Sequence, residues 1–307
     1  MALNSYPSFF KPKTATAMLV FFACLVLLVM GVNAQLNWFE ERAQNPEALS
    51  QSRGNASPRG PSLSSRSGVP TWEIDNRFDS DVFTFVRIEY DSYFGRSYWK
   101  VDYPAADLNF SYRLEELTSM KVNPDGKILR LGDAELNNYP FIFMIDARNI
   151  FLSENDSKIL KNYLESGGFL LMDDLWGNKM LKHISRQLEK VFPKKQLVEL
   201  PLDHEIFNGV YILDQKPQVP SEDAAHDGAP YGITWETNIG EPDENLNTPH
   251  YLAILDDYQR IMVLVCHNTD ISDGWEEEGI SEWFFTNFSE KFSYPLGINI
   301  IYYCLTH

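Results

Sequence analysis

Two short apolar runs that do not alternate constrain this chain more than any other feature. Phe141-Ile142-Phe143-Met144-Ile145 and Phe169-Leu170-Leu171-Met172 present hydrophobic side chains to both faces of any strand they form. Such a strand needs cover above and below, as a strand inside a parallel sheet has. Between the runs, Ser153-Glu154-Asn155-Asp156 reads as a capping pattern, with Asp156 where Glu or Gln is usual. Gly167-Gly168 reads as a helix stop. Strand, helix, strand in that order predicts one right-handed βαβ unit over 140–173. Both of its strands then end at the same edge, beside Asp146 and Asp173.

The remaining pattern extends this unit. Val82–Ile88 is rich in β-branched and aromatic residues and predicts a first strand. Leu252–Leu255 and Ile261–Val265 flank Asp256-Asp257-Tyr258-Gln259 as a hairpin would. Core strands are therefore expected at 83–89, 140–145, 168–173 and 260–266. Apolar spacing predicts helices at 109–120, through Phe110, Leu114, Leu117 and Met120, and at 153–166, 179–192 and 297–305. The fold class is α/β: a mostly parallel sheet with helices on both faces, in one domain over 79–307. A stretch near 214–248, rich in Pro, Asp, Glu, Asn and Gly, reads as a polar surface insertion.

The N-terminus has a different character. Lys11 and Lys13 precede an uncharged apolar run, Ala17–Val32, and Val32-Asn33-Ala34 fits a small-x-small cleavage site. Residues 1–34 are a signal peptide or an uncleaved signal anchor, and either places the body in the periplasm or cell envelope. Membrane contact is expected only through this segment. Residues 35–78 form a low-complexity stretch that reads as a flexible linker, not packed on the domain. Asp plus Glu number 43 against 26 Lys plus Arg, a net charge of −17, which excludes a general nucleic-acid binder. Cys24, Cys266 and Cys304 show no metal-ligand spacing. A Cys266–Cys304 disulfide and a pair of buried thiols fit the spacing equally.

In an open parallel sheet, ligands bind where strands end. Ile145 runs into Asp146, Met172 into Asp173-Asp174, and Val265 towards His267-Asn268, followed by Asp270 and Asp273. Asp173, Asp174 and Asp270, with His204 after Asp203, are the candidates for acid–base chemistry. Asp146, Asn268, Asp273, Trp176 and Trp275 are candidates for lining a pocket. Each acid taken singly also suits a turn or a helix cap. No nucleophile elbow, P-loop or dinucleotide fingerprint is present, so no cofactor is expected; without Cys or His ligand spacing or an EF-hand loop, no metal ion is expected either.

Four motifs occur in order: Tyr103-Pro104-Ala105-Ala106-Asp107-Leu108-Asn109-Phe110 with Arg113-Leu114; Gly167–Asp174; Leu200-Pro201-Leu202-Asp203-His204-Glu205-Ile206-Phe207; and Asp270–Glu276. On these the chain resembles the bacterial domain of unknown function 4159, over roughly 82–305. That family is similar in turn to the class I glutamine amidotransferase-like fold, including trehalose-utilisation-type proteins. The resemblance implies a flavodoxin-like three-layer sandwich and adds Tyr103, Asp107, Asn109 and Arg113 to the candidate ligand residues. Amidotransferases carry a cysteine at the elbow after a central strand. Here Asp173-Asp174 stand in that neighbourhood, which argues against amidotransferase chemistry. The expected function is a noncatalytic module binding a polar ligand or an envelope protein. The alternative is an envelope hydrolase, glycan-directed, with paired carboxylates as acid and base and His204 assisting.

Overall fold

The computed structural model describes residues 66, 68–74, 81–93, 95, 97–237, 239 and 244–307, so the export-type segment lies outside the described residues. Among those described, seven strands form one sheet: β1 Val86–Ile88, β2 Lys127–Leu129, β3 Phe141–Ile145, β4 Phe169–Leu175, β5 Val198–Glu199, β6 His250–Leu255 and β7 Ile261–His267. Their order is β2-β1-β3-β4-β7-β6-β5. The first five run parallel, while β6 and β5 close one side antiparallel. The two unalternating apolar runs are β3 and β4, paired from Phe141↔Phe169 to Ile145↔Asp173. Asp146 N donates to Asp173 O at 3.1 Å, so both strands end at one edge as their sequence requires.

Each sheet face has its own helical cover. Phe141, Phe143, Phe169 and Leu171 point into a core shared with α1 (Ala105–Leu117), α4 (Glu205–Asn208) and α8 (Tyr294–Thr306). Ile142, Met144, Leu170 and Met172 point the other way, against α2 (Glu154–Glu165) and α3 (Gly177–Val191). Short helices α5 (Glu222–Gly228), α6 (Asp273–Glu276) and α7 (Glu282–Phe284) complete the set, α7 running through a π-helical stretch, Phe285–Ser293, into α8. The capping box of α2 forms: Ser153 Oγ accepts from Asp156 N, and Asp156 returns the bond to Ser153 N.

Several expectations need correction. Helix α1 begins at Ala105 instead of 109, because the Asp102 carbonyl accepts from Ala106 N at 3.0 Å. It stops before Met120, where the Thr118 hydroxyl donates to Leu114 O and accepts from Met120 N, and Leu117 is left exposed. The end of the expected linker is docked. Arg66 is buried, pairs with Asp125 and donates to Pro124 O, while Trp72 Nε1 donates to Val122 O at 2.8 Å. One arginine and one tryptophan supply the polar and apolar contacts that the Ser-rich stretch lacks. The 214–248 insertion is more than a surface excursion, since Val219, Ala225 and Leu246 are buried, the first two against Phe284, Phe288 and Phe292. Cys266 and Cys304 are both free and buried.

The turn from α2 into β4 depends on two glycines. Gly167 has φ +108°, a region costly for any residue with a side chain. A Cβ on Gly168 would lie 2.3 Å from the Tyr163 ring. That ring cannot swing away cheaply, because its hydroxyl donates to Tyr139 O at 2.9 Å. Gly168→Ala is expected to destabilise the protein by about 1–3 kcal/mol, the usual cost of overpacking, read as a lower midpoint in urea denaturation.

Candidate functional site

Strand β4 does not simply stop at the edge. Its register on β7 slips between Met172 and Leu175, which pair with Val265 and His267, so β4 carries one extra residue there. Asp174 takes up the slack with φ +57°. A bulge of this kind re-aims side chains, and here it turns two consecutive aspartates inward. Asp146 (φ +45°), Asn268 (φ +57°) and Asp102 (φ +60°) are strained in the same sense, each at or beside this edge. Non-glycine residues pay for such backbone, and clusters of them mark functional sites.

The strained residues bring carboxyls together. Asp102, in the loop before α1, Asp270, in the loop after β7, and Asp273, at the start of α6, each offer a carboxylate oxygen within 4.8 Å of the others. Asp173 is fully buried behind them, its Oδ2 accepting from Ser272 N at 2.9 Å. Asp270 Oδ1 accepts from Ser272 N, Ser272 Oγ and Asp273 N at 3.0, 2.7 and 3.1 Å. By contrast, no hydrogen bond reaches the carboxylates of Asp174 or Asp273 among the described residues. Asp102 Oδ2 and Asp173 Oδ1 are buried without a hydrogen-bonding partner. This edge therefore presents buried carboxylate oxygens in want of donors.

Burial dominates the electrostatics. It pushes Asp173 up to about 6, against the bonds from Ser272 that favour its charged form. Asp174, Asp270, Asp273 and Asp102 all rise well above the usual carboxylate range, first through burial and then through one another's charge. Two arginines border the cluster and both are committed. Arg87, with no exposed surface, donates from Nε to both Asp107 oxygens at 3.0 Å and from Nη1 to Val101 O at 2.8 Å. Arg148 pairs with Asp146, whose carboxyl burial still holds above its usual range, and lies 4.8 Å from the Tyr98 ring centre.

The structure thus unites Asp146, Asp173, Asp174, Asp270 and Asp273 from the sequence candidates and gives the others different roles. His204 caps α4, accepting from Ile206 N at 3.2 Å, and packs beside Tyr303. Tyr303 in turn touches Ile261 and Phe169, where β7 and β4 begin, so His204 lies at the opposite edge of the sheet. Asp107 is the partner of Arg87. Asn109 ties α1 to α6 through Trp275 O at 2.7 Å. Arg113 pairs with Glu278 on the far end of α1. Asn268 accepts from Gly177 N and donates to Thr248 O, fastening the insertion. Trp176 and Trp275 are core residues, the latter 4.3 Å from the Phe110 ring centre. Tyr103 lies against Arg87, its hydroxyl pushed up to about 12 by burial. Sequence reasoning missed Asp102, and also Glu276, which with Glu277 offers a carboxylate oxygen within 4.8 Å of Asp273. Asp102 sits directly before the Tyr103-Pro104 motif, and only the fold carries it to Asp270.

Two outcomes follow. Arg87→Met strands the buried Asp107 charge and is expected to cost about 3–5 kcal/mol, measured by urea denaturation. For the acids, the folded state holds protons that the unfolded chain releases at lower pH. Their raised affinity therefore stabilises the fold below the unfolded value, and that stability is lost as pH rises through the folded value. For Asp173 the window runs from 3.8 to about 6. Melting temperature should fall across this window, and Asp174→Asn should raise it at neutral pH by removing one buried charge.

Comparison with known proteins agrees with the motifs. No curated protein matches the chain. A family profile matches residues 84–305, from just before β1 into α8 and so across every strand of the sheet. The chain belongs to the family described as domain of unknown function (DUF4159).

Proposed function

We propose that this domain is a noncatalytic binding module whose strand-edge pocket takes a polar ligand rich in hydrogen-bond donors, such as an ammonium or a polyhydroxylated sugar. The observation that carries this reading is the pair of buried carboxylate oxygens at this edge, Asp102 Oδ2 and Asp173 Oδ1, that no protein donor satisfies. A buried acceptor without a donor costs free energy, and a ligand that supplies donors recovers it. The insertion supports the same reading. It closes over this edge, with Asp270 N donating to Val219 O at 2.8 Å and Gln218 Nε2 to Asn268 O at 2.9 Å.

The export-type N-terminus makes this a module of the periplasm or cell envelope. The proposal includes the likeness to the class I glutamine amidotransferase-like sandwich. Its support is a mostly parallel sheet between two helical layers, with Asp173-Asp174 following a central strand as the cysteine does in that fold. The hydrolase alternative has less behind it. His204 is at the other edge, and Asp270 Oδ1 and Asp173 Oδ2 are occupied by the Ser272-Asp273 turn.

The test is calorimetric titration of the full chain with spermidine and with glucosamine, alongside NMR of each ligand after long incubation. Saturable binding of one of them with an unchanged ligand spectrum is expected. Asp174→Ala should weaken that binding by about 10-fold or more, the loss of one charge-assisted hydrogen bond. Conversion of the ligand to product would replace the module with an enzyme.

A further inference from the structure

We propose that the base of this pocket is a binding site for a hard divalent cation of the magnesium, manganese or calcium class, with Asp102, Asp270 and Asp273 as its protein ligands. The inference rests on reading the pocket as a binding site and names the innermost part of what it holds. It departs from the sequence expectation of no metal, which came from the absence of Cys and His ligand spacing. Asp270 and Asp273 share one short segment, but Asp102 comes to them from a segment too far away in sequence to form a motif with them.

Geometry is the first support. The three carboxylate oxygens lie within 4.8 Å of one another. Oxygens on one ion, each about 2.0–2.6 Å from it, sit no more than about 5 Å apart. The donor set is all oxygen and all anionic, which suits hard cations over zinc or copper.

Orphaned atoms provide an independent observation. Asp173, fully buried, keeps Oδ1 without a partner, and its charge is the chief neighbouring one acting on Asp270. Asp102 Oδ2, within the trio itself, is likewise buried and unpartnered. Buried polar atoms without partners are rare in native proteins, and an ion is one of the few things that explains them. Among the described residues, the two arginines that border the cluster are already committed, Arg87 to Asp107 and Arg148 to Asp146.

Outer contacts orient the ligands as metal sites require. Asp270 Oδ1 receives three hydrogen bonds from the Ser272-Asp273 turn, which fixes the carboxyl and leaves Oδ2 for an ion. The Asp102 carbonyl is held by Ala106 N, and Asn109 binds α1 to α6, so the two sides of the trio are braced against each other. Three protein carboxylates leave the remaining positions of such an ion to water or to the ligand's own oxygens.

The test uses the full chain, stripped with chelator and dialysed into metal-free buffer. Mn²⁺ is titrated in while free hexaaqua Mn²⁺ is followed by electron paramagnetic resonance, then displaced with Mg²⁺ and Ca²⁺. One Mn²⁺ per chain is expected. Asp102→Asn and Asp273→Asn should each weaken binding by about 10-fold or more, since even outer contacts of metal ligands are worth that much. Asp257→Asn, on the exposed turn of the β6–β7 hairpin, should leave it unchanged. Circular dichroism and melting temperature confirm that the variants fold, and removing a buried charge favours that. Absence of saturable binding at millimolar Mn²⁺, or binding that survives both Asp102→Asn and Asp273→Asn, overturns the cation site. A chain that binds spermidine or glucosamine but no Mn²⁺ refutes the cation alone and leaves the pocket reading standing. One that binds Mn²⁺ through the trio but neither organic ligand upholds the cation and refutes the donor-rich ligand.

Discussion

Arg87 is the side chain on which the geometry of the edge depends. It rises from β1 with no exposed surface and grips both oxygens of Asp107 in the first turn of α1. Its remaining donors hold Trp99 O and Val101 O, and its guanidinium lies 5.1 Å from the centre of the Phe143 ring. One planar, permanently charged group therefore joins an inner strand, a helix and the loop that carries Asp102. Lysine, a point charge without a fork, could not satisfy all these acceptors. A buried pair of this kind contributes little net stability against an apolar substitute, but it specifies where the loop sits.

The neighbouring acids are arranged in the opposite way. Asp174 and Asp273 are packed among other carboxylates with no guanidinium of their own, and Asp174 sits on backbone that only glycine adopts freely. Repulsion, desolvation and strain all act against the fold at this edge. Two extensive apolar cores, one on each sheet face, offset that cost. Such an arrangement trades stability for function, and the proposed binding site accounts for it.

The βαβ unit over β3, α2 and β4 was legible because its evidence is local. Unalternating apolar runs, a capping box and a Gly-Gly stop lie within about one supersecondary motif and point the same way. The hairpin of β6 and β7 was readable for the same reason. Less of the site was legible. Asp146, Asp173, Asp174, Asp270 and Asp273 were identifiable as strand-end acids, but His204 looked equally suitable beside Asp203. Nothing in the Leu200–Phe207 segment reveals that it follows an antiparallel edge strand and lies where β4 and β7 begin. Asn109, Arg113 and Trp275 carried the family motif, yet their roles in the structure are bracing and packing.

By itself, the sequence determined the fold class, the direction of the central strands and the edge at which acids accumulate. Those properties follow from hydrophobic periodicity and from the handedness of the crossover, both carried by neighbouring residues. The tertiary structure alone decided which acids meet. Asp102 and Asp270 are separated by most of the domain and converge only because α1 and α6 are tied through Asn109 and packed through Phe110 and Trp275. The bulge that turns Asp174 inward is also a tertiary event, since the mismatch arises between β4 and a strand about 90 residues later. Long-range pairing sets that register, and no local pattern encodes it.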